Sequence, residues 1–226
     1  MFEPRLLERV SMARPIYLAA AVLFFCTSVA FGKGRSVAAS ELFDGPLLNI
    51  TAPNSNGWKL SETSTGDMIF ERFGDVTNET LVASVTRIDI PDFRKQEDFL
   101  AFIKQGVERN TSRDRFKDIE ESFEYSEQRG YPCVSYKASS LDTKAQVSLF
   151  KHKSLVFQMR ALYCQLPNLD HGGFSANFSH RGPAALSDID SQAQAFFDGV
   201  QVPTKEESEE AQKELDAMDH GKNHKR

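Results

Sequence analysis

FKDIEESFEYSEQRGYPCVSYKASSLDTKAQVSLFKHKSLVFQMRALYC, residues 116–164, decides how this chain folds. Successive residues of a strand face opposite ways, so residue parity gives the face each one occupies. In 116–126, Ile119, Phe123 and Tyr125 oppose Asp118, Glu120, Ser122 and Glu124. In 131–139, Val134, Tyr136 and Ala138 oppose Ser135, Lys137 and Ser139. Ala145, Val147 and Leu149 oppose Gln146 and Ser148 in 144–151. In 154–164, Leu155, Phe157, Met159, Ala161 and Tyr163 oppose Gln158 and Arg160. Each segment has the pattern of a half-buried strand.

The breaks between these segments set the register. A loop at 127–130 pairs Ser126 with Tyr131 and places Phe123 opposite Val134. A loop at Ser140-Leu141-Asp142-Thr143 pairs Ser139 with Lys144 and brings Val147 to Tyr136. A two-residue turn at His152-Lys153 would set Gln158 opposite Val147, on the wrong face. The three-residue turn His152-Lys153-Ser154 sets Met159 there instead. Because a one-residue slip reverses every side chain, the longer turn is preferred. The expected fold is α+β, with an antiparallel sheet containing a four-stranded meander.

Upstream, Met68 to Phe73 and Leu81 to Ile90 read as two more strands, with Gly74-Asp75 and Asn78 marking the turn between them. Phe99, Phe102, Ile103 and Val107 recur at helical spacing, which predicts an amphipathic helix over 96–109. Downstream, Pro167, Gly172, Gly173, Gly182 and Pro183 make 165–186 mostly loop, with room for a short strand at 173–179. Ser187 and Asp190 resemble a capping box. The helix that follows shows Ile189, Ala193, Phe196, Phe197 and Val200 on one face.

The ends of the chain differ from its body. Arg5, Arg9 and Arg14 precede the apolar run Ile16 to Phe25, and Ser28-Val29-Ala30 supplies the small residues of a peptidase site. This is the pattern of a secretory signal, residues 1–30, cleaved after Ala30; a start at Met12 gives a still cleaner one. Ile16 to Phe31 is short for a membrane span, although an uncleaved anchor is the competing reading. Phe25 is too bulky for Cys26 to be a lipidation site. Residues 31–53 form a lead-in, 54–202 a single α+β domain, and 203–226 a charged tail, partly helical or disordered. Within that tail Thr204 and Glu207 are spaced to cap a helix.

Composition narrows the function classes. The chain has 226 residues and a net charge of −5, with no basic excess of the kind that nucleic acid requires. Its eighteen Phe are read as core filler rather than a binding platform. Cleavage after Ala30 would leave two cysteines, Cys133 and Cys164, a disulfide candidate in an oxidising compartment. The meander opposes that bridge. It sets the two residues roughly 25 Å apart along the strands, whereas a disulfide needs Cα atoms within about 7 Å. The meander is retained over the bridge.

Gly130-Tyr131-Pro132 enters the second meander strand, and Leu155-Val156-Phe157-Gln158-Met159 lies in the last. With the order strands, helix, meander, loop, helix, these residues resemble the PsbP-like fold over about 58–202. That fold is named for an extrinsic photosystem II subunit, and a nuclear Ran-binding factor shares it. The resemblance implies an antiparallel sheet with helices packed on it and an accessory or binding role. Tyr163-Cys164-Gln165-Leu166-Pro167, His180-Arg181-Gly182 and Phe196 to Gln201 also look like exported proteobacterial proteins of unassigned role.

No Walker loop, GxGxxG or GxSxG is present, and no cofactor is implied. His171 and His180, with Cys164 upstream, are the weak candidates for a metal or hydrolase site; their spacing matches no recognised zinc pattern. Glu120, Glu121 and Glu124 read as a solvated strand face. Lys151-His152-Lys153 reads as a polar turn tip. Asn49, Asn78, Asn110 and Asn177 head Asn-x-Ser/Thr sequons. The reading is an exported, non-enzymatic accessory or binding protein of the periplasm or extracellular space, with an unknown envelope partner and no membrane span once the signal is removed. The alternative is a small hydrolase or metal-dependent enzyme built on Cys164, His171 and His180.

Overall fold

The computed structural model describes residues 34–62, 67–148, 151–167, 171–204 and 206–209. The expected signal segment and the tail beyond residue 209 therefore lie outside the described residues. In order, the elements are β1 (Arg35–Ser36), β2 (Leu42–Phe43), β3 (Asn49–Thr51), β4 (Lys59–Glu62), β5 (Met68–Phe73), β6 (Thr80–Asp89), α1 (Gln96–Asn110), β7 (Phe116–Ser126), β8 (Cys133–Ser148), β9 (Lys151–Gln165), β10 (Gly172–Gly182), α2 (Ile189–Asp198) and β11 (Val200–Gln201). Eight strands form one sheet in the order β1-β4-β5-β6-β10-β9-β8-β7, and β11-β3-β2 form a small second sheet. Every pairing is antiparallel. The protein is thus a strand-dominated α+β structure. The lead-in belongs to it, since β1 pairs with β4 and β3 with β11.

The 116–164 region differs from the sequence expectation in strand count. It holds three strands, not four. Ser140 to Thr143 is not a loop but the middle of β8, and His152-Lys153-Ser154 is not a turn but part of β9. Only residues 149 and 150 separate the two strands. From Glu120 to Ser126 the faces are as expected, but the register moves by two residues: Phe123 pairs with Tyr136 rather than Val134, and a bulge between Lys117 and Glu120 breaks the alternation before that point. Parity survives an even shift, so sequence alternation cannot detect one. The physical reason that β8 continues lies at Asp142, whose charge receives partners from other elements.

The two helices cover opposite faces of the sheet. α1 buries Phe99, Ile103, Gly106 and Val107 against Val134, Tyr136, Ala138, Met159, Ala161 and Tyr163. α2 buries Ile189, Ala193, Phe196 and Phe197 on the other face, against Phe70, Leu162, Phe174 and Phe178. Each large apolar side chain buried this way contributes about 1.5–3 kcal/mol. β9 is consequently covered on both sides, and the polar residues that suggested an open face are satisfied there. The Gln158 side chain accepts from the Leu186 N–H at 2.6 Å and donates to the Leu186 carbonyl at 3.4 Å. Arg160 Nε donates to Asp190 at 2.5 Å.

Residues 165–186 contain the largest departure. β10 is an eleven-residue central strand between β6 and β9. Its glycines suggested loop, yet one of them is there for space. A Cβ on Gly173 would lie 2.4 Å from Ile90 Cδ1 and 2.7 Å from the Cys164 carbonyl oxygen. The backbones approach too closely at that point for any side chain.

Helix ends are secured in ways the sequence partly showed. The Ser187–Asp190 capping box does not form; Asp188 occupies the N-cap position and Asp190 is taken by Arg160. The Thr204–Glu207 box does form, with Glu207 N–H donating to Thr204 Oγ1 at 3.3 Å and Thr204 N–H to Glu207 Oε2 at 2.7 Å. At the other end of α2, Arg129 from the β7–β8 loop donates to the Val200 carbonyl at 2.8 Å and to that of Phe197 at 2.5 Å. A cation on the terminal carbonyls of a helix satisfies orphan acceptors and opposes the helix dipole. Arg129→Ala is expected to lower stability by about 1–3 kcal/mol, measured as a reduced urea midpoint at constant slope.

Candidate functional site

The sulfurs of Cys133 and Cys164 are bonded. The two residues are direct cross-strand partners at the start of β8 and the end of β9, with Cα atoms 4.1 Å apart. The expected separation of roughly 25 Å is overturned, because it assumed a chain reversal at 140–143. Gln165 N–H donates to the Pro132 carbonyl just outside this pair. That places the cysteines at a non-hydrogen-bonded position, where strands come closest. Both residues are buried on the α2 face.

This geometry disperses the candidate hydrolase or metal cluster. Cys164 pairs with Phe174, whereas His180 pairs with Gln158, six residues away along β9, about 20 Å at the rise of a strand. His171 is exposed at the opposite end of β10, at φ 57°. Cys164, being bridged, offers no free thiolate. The three side chains share no site, so the reading built on their convergence fails.

His180 belongs to a different cluster. It is fully buried, and its Nε2 lies 2.9 Å from Glu79 Oε1. Glu79 sits in the β5–β6 turn. Burial pushes its carboxyl up, but the hydrogen bonds from His180 and from the Val76 N–H outweigh this and hold it below the usual range. The arrangement ties the β5–β6 turn to the end of β10. Glu120 and Glu124 are exposed on β7, as a solvated face requires, whereas Glu121 lies on the Phe123 side of the strand, where it accepts from the Tyr136 hydroxyl at 3.3 Å and pairs with Arg113 at 3.6 Å. Lys151-His152-Lys153 opens β9, and Lys153 is exposed. Among the sequons, Asn78 is exposed in the β5–β6 turn, whereas Asn177 sits mid-strand with its amide nitrogen on Ser84 and Ser175.

The densest charge cluster was not singled out from the sequence. Asp142 is fully buried on β8 and Arg115 nearly so, just before β7. Arg115 donates to both carboxylate oxygens, Nε to Oδ1 at 2.8 Å and Nη2 to Oδ2 at 2.7 Å. Lys144 N–H donates to Oδ1 at 3.1 Å, and Arg181 Nε from β10 stands 3.0 Å from Oδ2. The rings of Phe116 and Phe157 pack 5.2 Å apart beside the cluster, with the Arg115 guanidinium 5.2 Å from the first and that of Arg181 5.6 Å from the second. Burial draws the Arg181 guanidinium below its ordinary pKa; Asp142 pulls it back up and Arg115 pushes it further down. The signal that would have found this site is parity carried past residue 140. It sets Asp142 on the apolar face of Val134 and Tyr136, where a lone carboxylate must have a partner.

From Arg181 a polar row runs along β10 on the same face: Arg181, Ser179, Asn177 and Ser175. It is flanked by Ser84 and Thr86 on β6 and by Met159, Ala161 and Tyr163 on β9. Glu71 of β5 lies across Val82 from this row, and burial raises its carboxyl above the usual range. α1 packs on β7 and β8, to the side of this row.

No family model matches the chain, and no curated protein is similar to it in sequence. Among the described residues no group of His, Cys, Asp and Glu is placed to hold a metal ion, and no helix is long and apolar enough to cross a membrane.

One substitution and one reduction separate what holds this region. Asp142→Ala leaves two guanidiniums facing one another and should destabilise by about 3–5 kcal/mol. Reduction of the Cys133–Cys164 bridge, which closes a separation of 31 residues, should lower stability by about 3–4 kcal/mol. Both are read from chemical unfolding curves, the second with and without reductant.

Proposed function

We propose that this chain is an exported, non-catalytic binding module of the cell envelope, built on the PsbP-like layout. The observation that carries the reading is the buried Cys133–Cys164 bridge. Disulfides form and persist in oxidising compartments and are rare where thiols are kept reduced. The bridge agrees in kind with the N-terminal pattern of three arginines, an apolar run and Ser28-Val29-Ala30, which reads as a signal cleaved after Ala30. Two independent features, one at each level of structure, thus point to the periplasm or the extracellular space.

A binding rather than catalytic role is supported by where the reactive groups go. Cys164 is consumed by the bridge, His180 is consumed by Glu79, and His171 stands apart from both. The β10 row and the Arg115–Asp142–Arg181 cluster supply polar and charged groups without a nucleophile and base in reach of each other.

Fractionation of the native host with intact-mass analysis tests the reading. The expected product lies in the periplasm or medium, starts at Phe31 and carries no free thiol. A cytosolic product that keeps residues 12–30 and has both thiols free would overturn it.

A further inference from the structure

The eight-stranded sheet ends on one side at β1, two residues long, and on the other at β7, eleven residues long. β7 pairs only with β8, so half of its backbone groups point away from the sheet. The bridge tells which half. Cys133 is at a non-hydrogen-bonded position toward β9, so its N–H and C=O turn to β7, where it pairs with Ser126. Alternation then aims Ser126, Glu124, Ser122 and Glu120 inward, and the Glu124 carbonyl does accept from the Ser135 hydroxyl of β8 at 3.4 Å. Tyr125, Phe123 and Glu121 aim outward. Their N–H and C=O groups have no hydrogen-bond partner among the described residues.

Native edges are blunted by bulges, charge or a covering element. The first part of β7 is blunted: a bulge lies between Lys117 and Glu120, with Asp118 at φ 51°. Glu120 to Ser126 keeps a regular register, a run of roughly 20 Å. Its two faces differ. Toward α1, Phe123 and Tyr125 are half-buried, and the Tyr125 ring leads through Phe99 to the half-buried rings of Phe93 and Phe102, at 6.4, 5.7 and 5.1 Å in turn. Lys104 Nζ already stands 5.6 Å from the Phe123 ring, so this side favours an apolar neighbour over another cation. On the opposite face Glu120 and Glu124 are exposed, and neither is in an ion pair among the described residues.

A second copy does not suit this edge. Antiparallel pairing about Phe123 sets each Glu124 diagonal to the Glu120 and Glu124 of the other copy, and a shift by two residues either way sets glutamates directly opposite. The same charges that oppose self-pairing attract a cationic strand.

We propose that Glu120–Ser126 is a docking edge that takes one more strand from a different protein, an extended segment alternating apolar with basic residues. Its backbone pairs with Glu121, Phe123 and Tyr125, its apolar side chains lie beside Phe123 and Tyr125, and its lysines or arginines lie beside Glu120 and Glu124. Such strand addition draws affinity from the main chain and specificity from alternate side chains. The proposal rests on the binding-module reading and names the partner class.

The test uses the purified, bridged chain and a labelled peptide, TKVKVKVKT, at low ionic strength. Fluorescence anisotropy follows binding, and NMR follows hydrogen exchange at individual amides. Saturable binding with slowed exchange at Glu121, Phe123 and Tyr125 is the expected result. The peptide N-methylated at its valines, which cannot donate to the edge, and the charge-reversed TEVEVEVET should not bind. The double variant Glu120→Lys, Glu124→Lys, shown to be folded by thermal unfolding, should weaken binding by at least about tenfold. Absence of saturation, equal binding of the N-methylated peptide, or binding that leaves those three amides unprotected would overturn the proposal. So would a dimer in sedimentation whose three amides are protected without peptide, since the occupant is then a second copy. A bridged, exported chain that binds no peptide loses this partner class and keeps its compartment; a cytosolic chain that binds the peptide as expected keeps the edge and loses the compartment.

Discussion

The Asp142 carboxylate, clamped by Arg115 and approached by Arg181, is the interaction on which the sheet depends. A charged residue in a central strand is tolerated only when paired and hydrogen-bonded. Here the pairing comes from just before β7 and from β10, so one carboxylate joins the far edge of the sheet to its middle. With Asp142 satisfied, β8 runs unbroken through 140–143 as a sixteen-residue strand. An unbroken β8 lets β9 fold back along its whole length, and that register sets Cys133 directly opposite Cys164. The bridge is thus downstream of the clamp. Had the chain turned at 140–143, the cysteines would have stood far apart.

The sheet then sorts its polar groups by which helix covers them. On the α2 face, Gln158 and Arg160 find the Leu186 backbone and Asp190 at the approach to α2, so that face closes as a core. His180 on this side is closed off by Glu79. On the α1 face the helix sits over β7 and β8, and the polar row of β10 lies beyond it. One face is therefore mostly a core under α2, while the other combines a core under α1 with a polar strip that ends at Arg181.

The candidate cluster of the sequence and the charge cluster of the structure fare differently under this arrangement. A thiol and two imidazoles close together in the chain are carried apart by an extended strand, because β10 moves along by about 3.3 Å per residue. Residues 115, 142 and 181, remote in the chain, are gathered where the start of β7, the middle of β8 and the end of β10 come together. Nearness in sequence suggested a cluster that does not form, and distance concealed one that does.

The sequence by itself determined what depends on short-range periodicity. The α1 face of Phe99, Ile103 and Val107, the burial of Ile189, Ala193, Phe196 and Phe197 in α2, the alternating faces of 116–164 and the Thr204–Glu207 cap are properties of spacing, and spacing is written in the chain. Only the tertiary structure decided where strands end, which register they keep, and which face each helix seals. Those outcomes turn on partners contributed by remote residues. Ser-Leu-Asp-Thr at 140–143 resembles a turn until two arginines arrive, and the glycines of 172–182 resemble a loop until Ile90 and the Cys164 carbonyl press against Gly173. Local propensity yields to such contacts because a satisfied buried charge or a close backbone approach outweighs the few tenths of a kcal/mol to about 1 kcal/mol by which residues differ in conformational preference.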